Sequence, residues 1–186
     1  MFDLDRFISD CRAALQESSP GSAVKEIVER AICRPGEVEQ TLGSPQWAQI
    51  DALHRSPELT ILNVIWAPGM SIYPHDHRMW AVIGLYGGRE DNIFYRRTAK
   101  GVVEANRKQL DISDTALLGK TTIHSVKNPL PQFTGAIHVY GGDFFSVPRS
   151  EWDPNGLEER PFDVESVKRL FSEANQSDLL SPQKSR

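Results

Sequence analysis

The sequence predicts a mainly β domain, a barrel or sandwich of short strands, with helices before it and one helix after it. Three observations carry this. Up to about residue 35, apolar residues recur every three or four positions. From about residue 58 that period gives way to short β-branched and alternating runs with turn residues between them. After Pro161 the helical period returns.

Each element follows from its residues. Phe2, Leu4, Phe7, Ile8, Cys11 and Leu15 share one helical face over residues 2–16. Val24, Ile27, Val28, Ala31 and Ile32 continue the period after Ser19-Pro20, until Pro35-Gly36 stops it. A short third helix is expected near 36–42, capped by Gly43. Leu59 to Trp66, bounded by Pro57 and Pro68-Gly69, reads as a strand, and so does Trp80 to Tyr86. Asn92 to Thr98 and Val102 to Leu110 read as a hairpin across Lys100-Gly101. Thr115 to Leu118, Thr122 to Val126 and Thr134 to Tyr140 complete the run. Asp163 is placed to cap a last helix from Val164 to Asn175, and the polar tail from Gln176 to Arg186 is expected to fray. The resulting division is a helical segment at 1–45, a barrel at 46–150 and an extension at 151–186, one domain in all.

Composition narrows the function. At about 150 residues per domain, 186 residues make one domain with a helical appendage. A net charge of −4 argues against a nucleic-acid binder, which needs a basic excess along the phosphates. No apolar run is long enough to span a membrane. Asp3 and Asp5 stand where a secretory signal carries Lys or Arg, so the expected location is the cytoplasm. The two cysteines, Cys11 and Cys33, make no disulfide framework and no CxxC pair. Both are read as small buried hydrophobes in a reducing compartment.

Four histidines fall in the β region: His75, His77, His124 and His138, while His54 stands apart. In a strand, residues i and i+2 share a face, so the imidazoles of His75 and His77 project together. Gly69 supplies the turn that feeds them. His124 closes another strand, and in a barrel distant strands bring inward residues together. Three imidazoles would occupy one face of a metal and leave other positions open. Such a ligand set suits Fe(II), Ni(II) or Zn(II). His138 and Tyr140 again share a face. Arg55 stands just before the Leu59 strand and Arg96-Arg97 lies on a strand, and each guanidinium offers parallel donors. Met79 and Trp80 are candidates to line the pocket or fill the core. Glu90-Asp91-Asn92, after Gly88, is expected to face solvent from a turn.

Gly69, five residues and His75-x-His77, followed by His124-x-x-x-Asn128, resembles the two motifs of the cupin superfamily of double-stranded β-helix (jelly-roll) barrels. Pro74-His-Asp-His77, His124-x-Val126-x-Asn128 and Ile137-His-Val-Tyr140 are similar, more narrowly, to the cysteine dioxygenase family of thiol dioxygenases. The resemblance covers roughly residues 50 to 145. It implies Fe(II) on His75, His77 and His124. It also implies a small thiol of the cysteine or 3-mercaptopropionate type that is converted to its sulfinate by dioxygen. Arg55, and less so Arg96-Arg97, would hold the carboxylate, and Tyr140, oriented by His138, would donate to bound oxygen. A homodimer is a further expectation.

The departures are informative. Ala81 and Val82 stand where cupins carry a glutamate ligand, which favours the thiol dioxygenase branch with its three neutral histidines. With no cysteine after Cys33, the cysteine–tyrosine crosslink of mammalian-type enzymes cannot form. Gly119 and Thr121 replace the usual Pro and Gly of the second motif. Ala136 replaces the serine of a Ser-x-His-x-Tyr relay, so that end is missing or taken by water. The rival readings are a carbon–carbon-cleaving cupin dioxygenase acting on a diketone, and a non-enzymatic cupin that binds a metal or small ligand.

Overall fold

The computed structural model describes residues 1–153 and 158–179. Three helices come first: α1 (Leu4–Ala14), α2 (Pro20–Ile32) and α3 (Pro35–Leu42). Asp3 caps α1, its side chain accepting the backbone N–H of Arg6 at 3.0 Å. Pro20 and Pro35 open α2 and α3, where a missing N–H is no loss, and Gly43 ends α3 at φ 91°.

The strands are β1 (Gln49–Arg55), β2 (Thr60–Trp66), β3 (Ser71–Asp76), β4 (Ala81–Gly87), β5 (Arg89–Thr98), β6 (Gly101–Asp111), β7 (Thr115–Leu118), β8 (Ile123–Lys127), β9 (Thr134–Tyr140), β10 (Ser150–Trp152) and β11 (Glu159–Pro161). They form two antiparallel sheets, in the orders β1-β2-β9-β4-β7 and β11-β10-β3-β8-β5-β6. Consecutive strands alternate between the sheets over much of this path, which makes the barrel a double-stranded β-helix. Helix α4 (Val164–Leu179) follows, with Asp163 Oδ1 accepting from the N–H groups of Glu165 and Ser166.

The central strands of the first sheet are buried on both faces, which explains why β2 and β9 are rich in apolar residues on either side. Leu59, Ile61, Val82, Ile137 and Val139 face the helices, against Phe7, Cys11, Val24, Val28 and Ile32. Leu62, Val64, Trp66, Ala136 and Tyr140 face the barrel interior. Full burial of each such aliphatic side chain is worth about 1.5–3 kcal/mol over exposure. Helix α2 lies so close to β4 that a Cβ on Gly84 would come within 2.3 Å of Val28.

Three expectations need correcting, and one strand lies beyond them. The last helix runs beyond Asn175 to Leu179, so Gln176 to Leu179 are helical, and the rest of the expected frayed tail lies outside the described residues. Strand β1 escapes a pattern search because its edge position leaves polar residues interleaved with apolar ones. Cys33 is exposed at the end of α2, its thiol donating to Arg30 O at 3.0 Å, whereas Cys11 is buried as expected. The turn at Gly88 (φ 74°) closes earlier than expected, so β5 begins at Arg89. Alternation then turns Glu90 and Asn92 into the barrel, where they are fully or almost fully buried, and leaves Asp91 partly exposed.

Candidate metal centre

Strands β3 and β8 pair antiparallel with His75 directly opposite His124. His77 follows one residue past the end of β3, where Arg78 takes a left-handed φ of 57°. Arg78 is held there by Asp76, 2.8 Å away, and by Ser150. Asp76 points away from the histidines and accepts the N–H of Ser150 at 2.9 Å. Its side chain therefore anchors the ligand strand and adds no fourth ligand.

The imidazoles converge. His77 Nε2 lies 3.2 Å from His75 Nε2 and 3.4 Å from His124 Nε2. Three nitrogens at about 2.0–2.1 Å from one ion would sit about 3.0–3.4 Å apart, so the spacing fits. Outer partners fix which nitrogen faces inward. The His75 Nδ1–H donates to Tyr73 O at 3.0 Å, and the His124 Nδ1–H donates to Asn92 Oδ1 at 2.9 Å. Each bond leaves an Nε2 lone pair for the metal. Among the described residues these three histidines form the group of side chains that could hold an ion.

Burial keeps all three neutral. It pulls His75 down to about 4, and it lowers His77 and His124 well below the usual imidazole range. Mutual repulsion adds to the effect at His77 and His124. Neutral imidazole is the ligating form.

A cavity of about 110 Å³ opens on the three rings, walled by Leu62, Val64, Trp66, Phe144, Phe162 and Phe171 among others. That is smaller than the ~150 Å³ that admits benzene, so its occupant is a small molecule. A wider groove of about 740 Å³ runs over Tyr73, Tyr95, Arg107 and Lys127, but no histidine lines it.

Tyr140 and His138 line the cavity too. The Tyr140 ring packs 5.1 Å from that of His77 and 4.4 Å from that of Phe144. Its hydroxyl lies 3.0 Å from His138 Nδ1, and burial pushes its pKa up. On the other side, His138 Nε2 lies 3.5 Å from Glu90 Oε1.

The arginines differ from the sequence expectation. Arg55 does not line the cavity. It is half-exposed at the end of edge strand β1, and both oxygens of Asp143 take its donors at 2.9 Å. It thus clasps the segment that carries Phe144 and Arg149. Arg97 pairs with Glu159 and Asp76 over the ring of Trp152, Arg96 is exposed, and neither lines the cavity. The arginine of the cavity is Arg149, only 7% exposed. Its guanidinium carbon sits 4.1 Å from the centres of both Phe144 and Phe162. One terminal nitrogen donates to Phe144 O, while Nε and Nη2 have no direct partner. No motif marks Arg149, because its two rings come from separate stretches of chain. Met79 packs in the interior core and Trp80 packs towards the helices, so both are core residues. His54 lies on β1, away from the centre.

No family model matches this chain. Among solved structures it is similar to an RmlC-like cupin family protein of Methanocaldococcus jannaschii, at 7% identity and a TM-score of 0.46, over 55% of this chain and 86% of that one. A cupin superfamily protein of Desulfitobacterium hafniense is similar at 15% identity and a TM-score of 0.45, over 55% and 86%. The DMSP lyase DddQ of Ruegeria pomeroyi is similar at 16% identity and a TM-score of 0.43, over 54% and 46%. These likenesses concern the fold. The site stands on its own geometry.

Proposed function

We propose that this protein is an Fe(II)-dependent thiol dioxygenase that converts a small mercapto acid to its sulfinate. The observation that carries the reading is the meeting, in one small apolar cavity, of three neutral imidazole nitrogens and a buried arginine with free donors. His75, His77 and His124 would hold the ion. When bound, iron supplies a meeting place for sulfur and dioxygen and the one-electron steps that dioxygen requires. In the overall reaction, one thiol and one dioxygen give one sulfinic acid, both oxygen atoms going to sulfur.

The chain's own residues bind and orient. Arg149 offers two donors to a carboxylate, and its seat between two rings fixes the distance from carboxylate to sulfur. Leu62, Val64, Trp66 and Phe171 exclude water. Among the described residues that wall the cavity there is no Asp or Glu. An ammonium group there would be desolvated beside Arg149 with no counter-charge. The reading therefore favours a 3-mercaptopropionate type of substrate over cysteine. The free thiols of Cys11 and Cys33 fit a reducing compartment such as the cytoplasm.

Oxygen uptake by the iron-loaded protein tests this. With 3-mercaptopropionate, one dioxygen should disappear for each sulfinate formed, and cysteine should be a poorer substrate. No uptake with any thiol at full iron occupancy would overturn the reading. Uptake with a diketone instead would assign the site to carbon–carbon cleavage.

A further inference from the structure

Glu90 is fully buried on the inner face of β5, and nothing in the proposed reaction uses it. Its Oε1 accepts the indole N–H of Trp66 at 2.7 Å and lies 3.5 Å from His138 Nε2. Among the described residues no Lys or Arg pairs with it. Its Oε2 and His138 Nε2 each lack a closer hydrogen-bond partner. A buried acceptor oxygen left without a donor is costly, so the nearest N–H matters.

A neutral imidazole carries one N–H and one lone pair. Glu90 Oε1, the oxygen that faces His138, already acts as the acceptor for the Trp66 indole, so the imidazole nitrogen beside it is the one that carries the proton. Nδ1 then holds the lone pair, and the Tyr140 hydroxyl, 3.0 Å away, donates to it. The phenol oxygen presents lone pairs to the cavity. We propose that Glu90 is a positioning residue: it holds His138 as the Nε2–H tautomer and so sets Tyr140 as a hydrogen-bond acceptor toward the cavity. This reverses the sequence expectation that Tyr140 donates to bound oxygen. An acceptor suits an incoming thiol, which arrives with a proton to lose. Glu90, from another strand, thus occupies the outer end of the relay that Ala136 leaves empty.

The tautomer can be read without turnover, which separates this inference from the proposed activity. The full chain, labelled with ¹⁵N-histidine and loaded with Zn(II), would be examined by long-range ¹H–¹⁵N correlation. The His138 signals are those lost in His138→Gln. The expected result is an Nε2–H imidazole in the wild type and in Glu90→Gln, whose amide oxygen still accepts, and a shift toward Nδ1–H in Glu90→Leu. An Nδ1–H wild type overturns the inference even if Glu90→Leu fails to fold, as does a tautomer unchanged by Glu90→Leu.

Turnover gives a second reading, which rests on the proposed function. Glu90→Leu should lower kcat at least tenfold with a smaller change in KM and full metal content, and Glu90→Gln should recover most of the loss. Equal turnover in all three proteins, or a Gln variant as slow as the Leu variant despite its retained tautomer, would overturn the link to catalysis.

Discussion

The two faces of the first sheet are built on opposite principles. Its outer face meets α1, α2 and α3 through side chains such as Ile61, Val82, Val139, Val24, Val28 and Ile32, which bring no polar group to the contact. Its inner face carries His138 and Tyr140 into a region where His77 Nδ1, Glu90 Oε2, and Arg149 Nε and Nη2 all lack direct partners. Each unsatisfied buried polar atom costs about 1–3 kcal/mol. The site is tolerable because the helix-covered face supplies stability it does not. Changes on the outer face should therefore cost folding, and changes on the inner face should cost binding and turnover.

The largest expected effect is at the metal centre. His124→Ala should lose nearly all bound metal, by elemental analysis, and all oxygen uptake, while the far-ultraviolet circular dichroism stays that of the wild type. A variant that binds one ion and turns over normally breaks the contrast. Next comes Arg149→Gln. Loss of a charged hydrogen-bond pair is worth about 1.5–3 kcal/mol. The kcat/KM for 3-mercaptopropionate should thus fall about ten- to a hundredfold, with metal content retained, and 2-mercaptoethanol should be affected far less. An equal loss for both thiols removes Arg149 from carboxylate binding.

On the outer face, Gly84→Val drives a side chain into Val28. Overpacking of this kind costs about 1–3 kcal/mol, seen as a lower Tm with unchanged metal stoichiometry in the folded protein. A loss of metal with an unchanged Tm reverses the assignment of roles.

A smaller, pH-dependent effect comes from His75, held at about 4 in the fold against about 6.5 in an unfolded chain. Between those values the unfolded chain binds more protons, so stability rises with pH. The metal-free protein should keep its full Tm above pH ~6.5 and lose part of it as the pH falls toward 4. A flat Tm across that window removes the buried neutral imidazole. The smallest effect is chemical. Burial pushes the Cys11 thiol up to about 12, whereas Cys33 is exposed. A thiol reagent at neutral pH should titrate one cysteine in the folded protein and both in denaturant.

Much of this was legible in the sequence because it is local or periodic. The i, i+2 spacing of His75 and His77, the turn at Gly69 and the short strand from Thr134 to Tyr140 are written in neighbouring residues. What escaped depends on partners far along the chain. Glu90 looks like a turn residue until β5 is seen to begin at Arg89. Arg149 gains its meaning from Phe162, and Arg55 is removed from the cavity by Asp143, 88 residues away. Proximity to a motif pointed to Arg55, but the side chain that reaches the cavity was decided by packing.

The place of α4 has a consequence for how the centre is assembled. The Phe171 ring packs tilted, 5.3 Å from that of Trp66, and Val167 and Phe171 close one wall of the cavity. The ligands at 75, 77 and 124 all precede this helix in the chain. During synthesis, β3 and β8 can pair, and the three rings can meet an ion, while that wall is still absent. The roof arrives after the hearth, which leaves an interval in which a metal ion could enter through an open doorway.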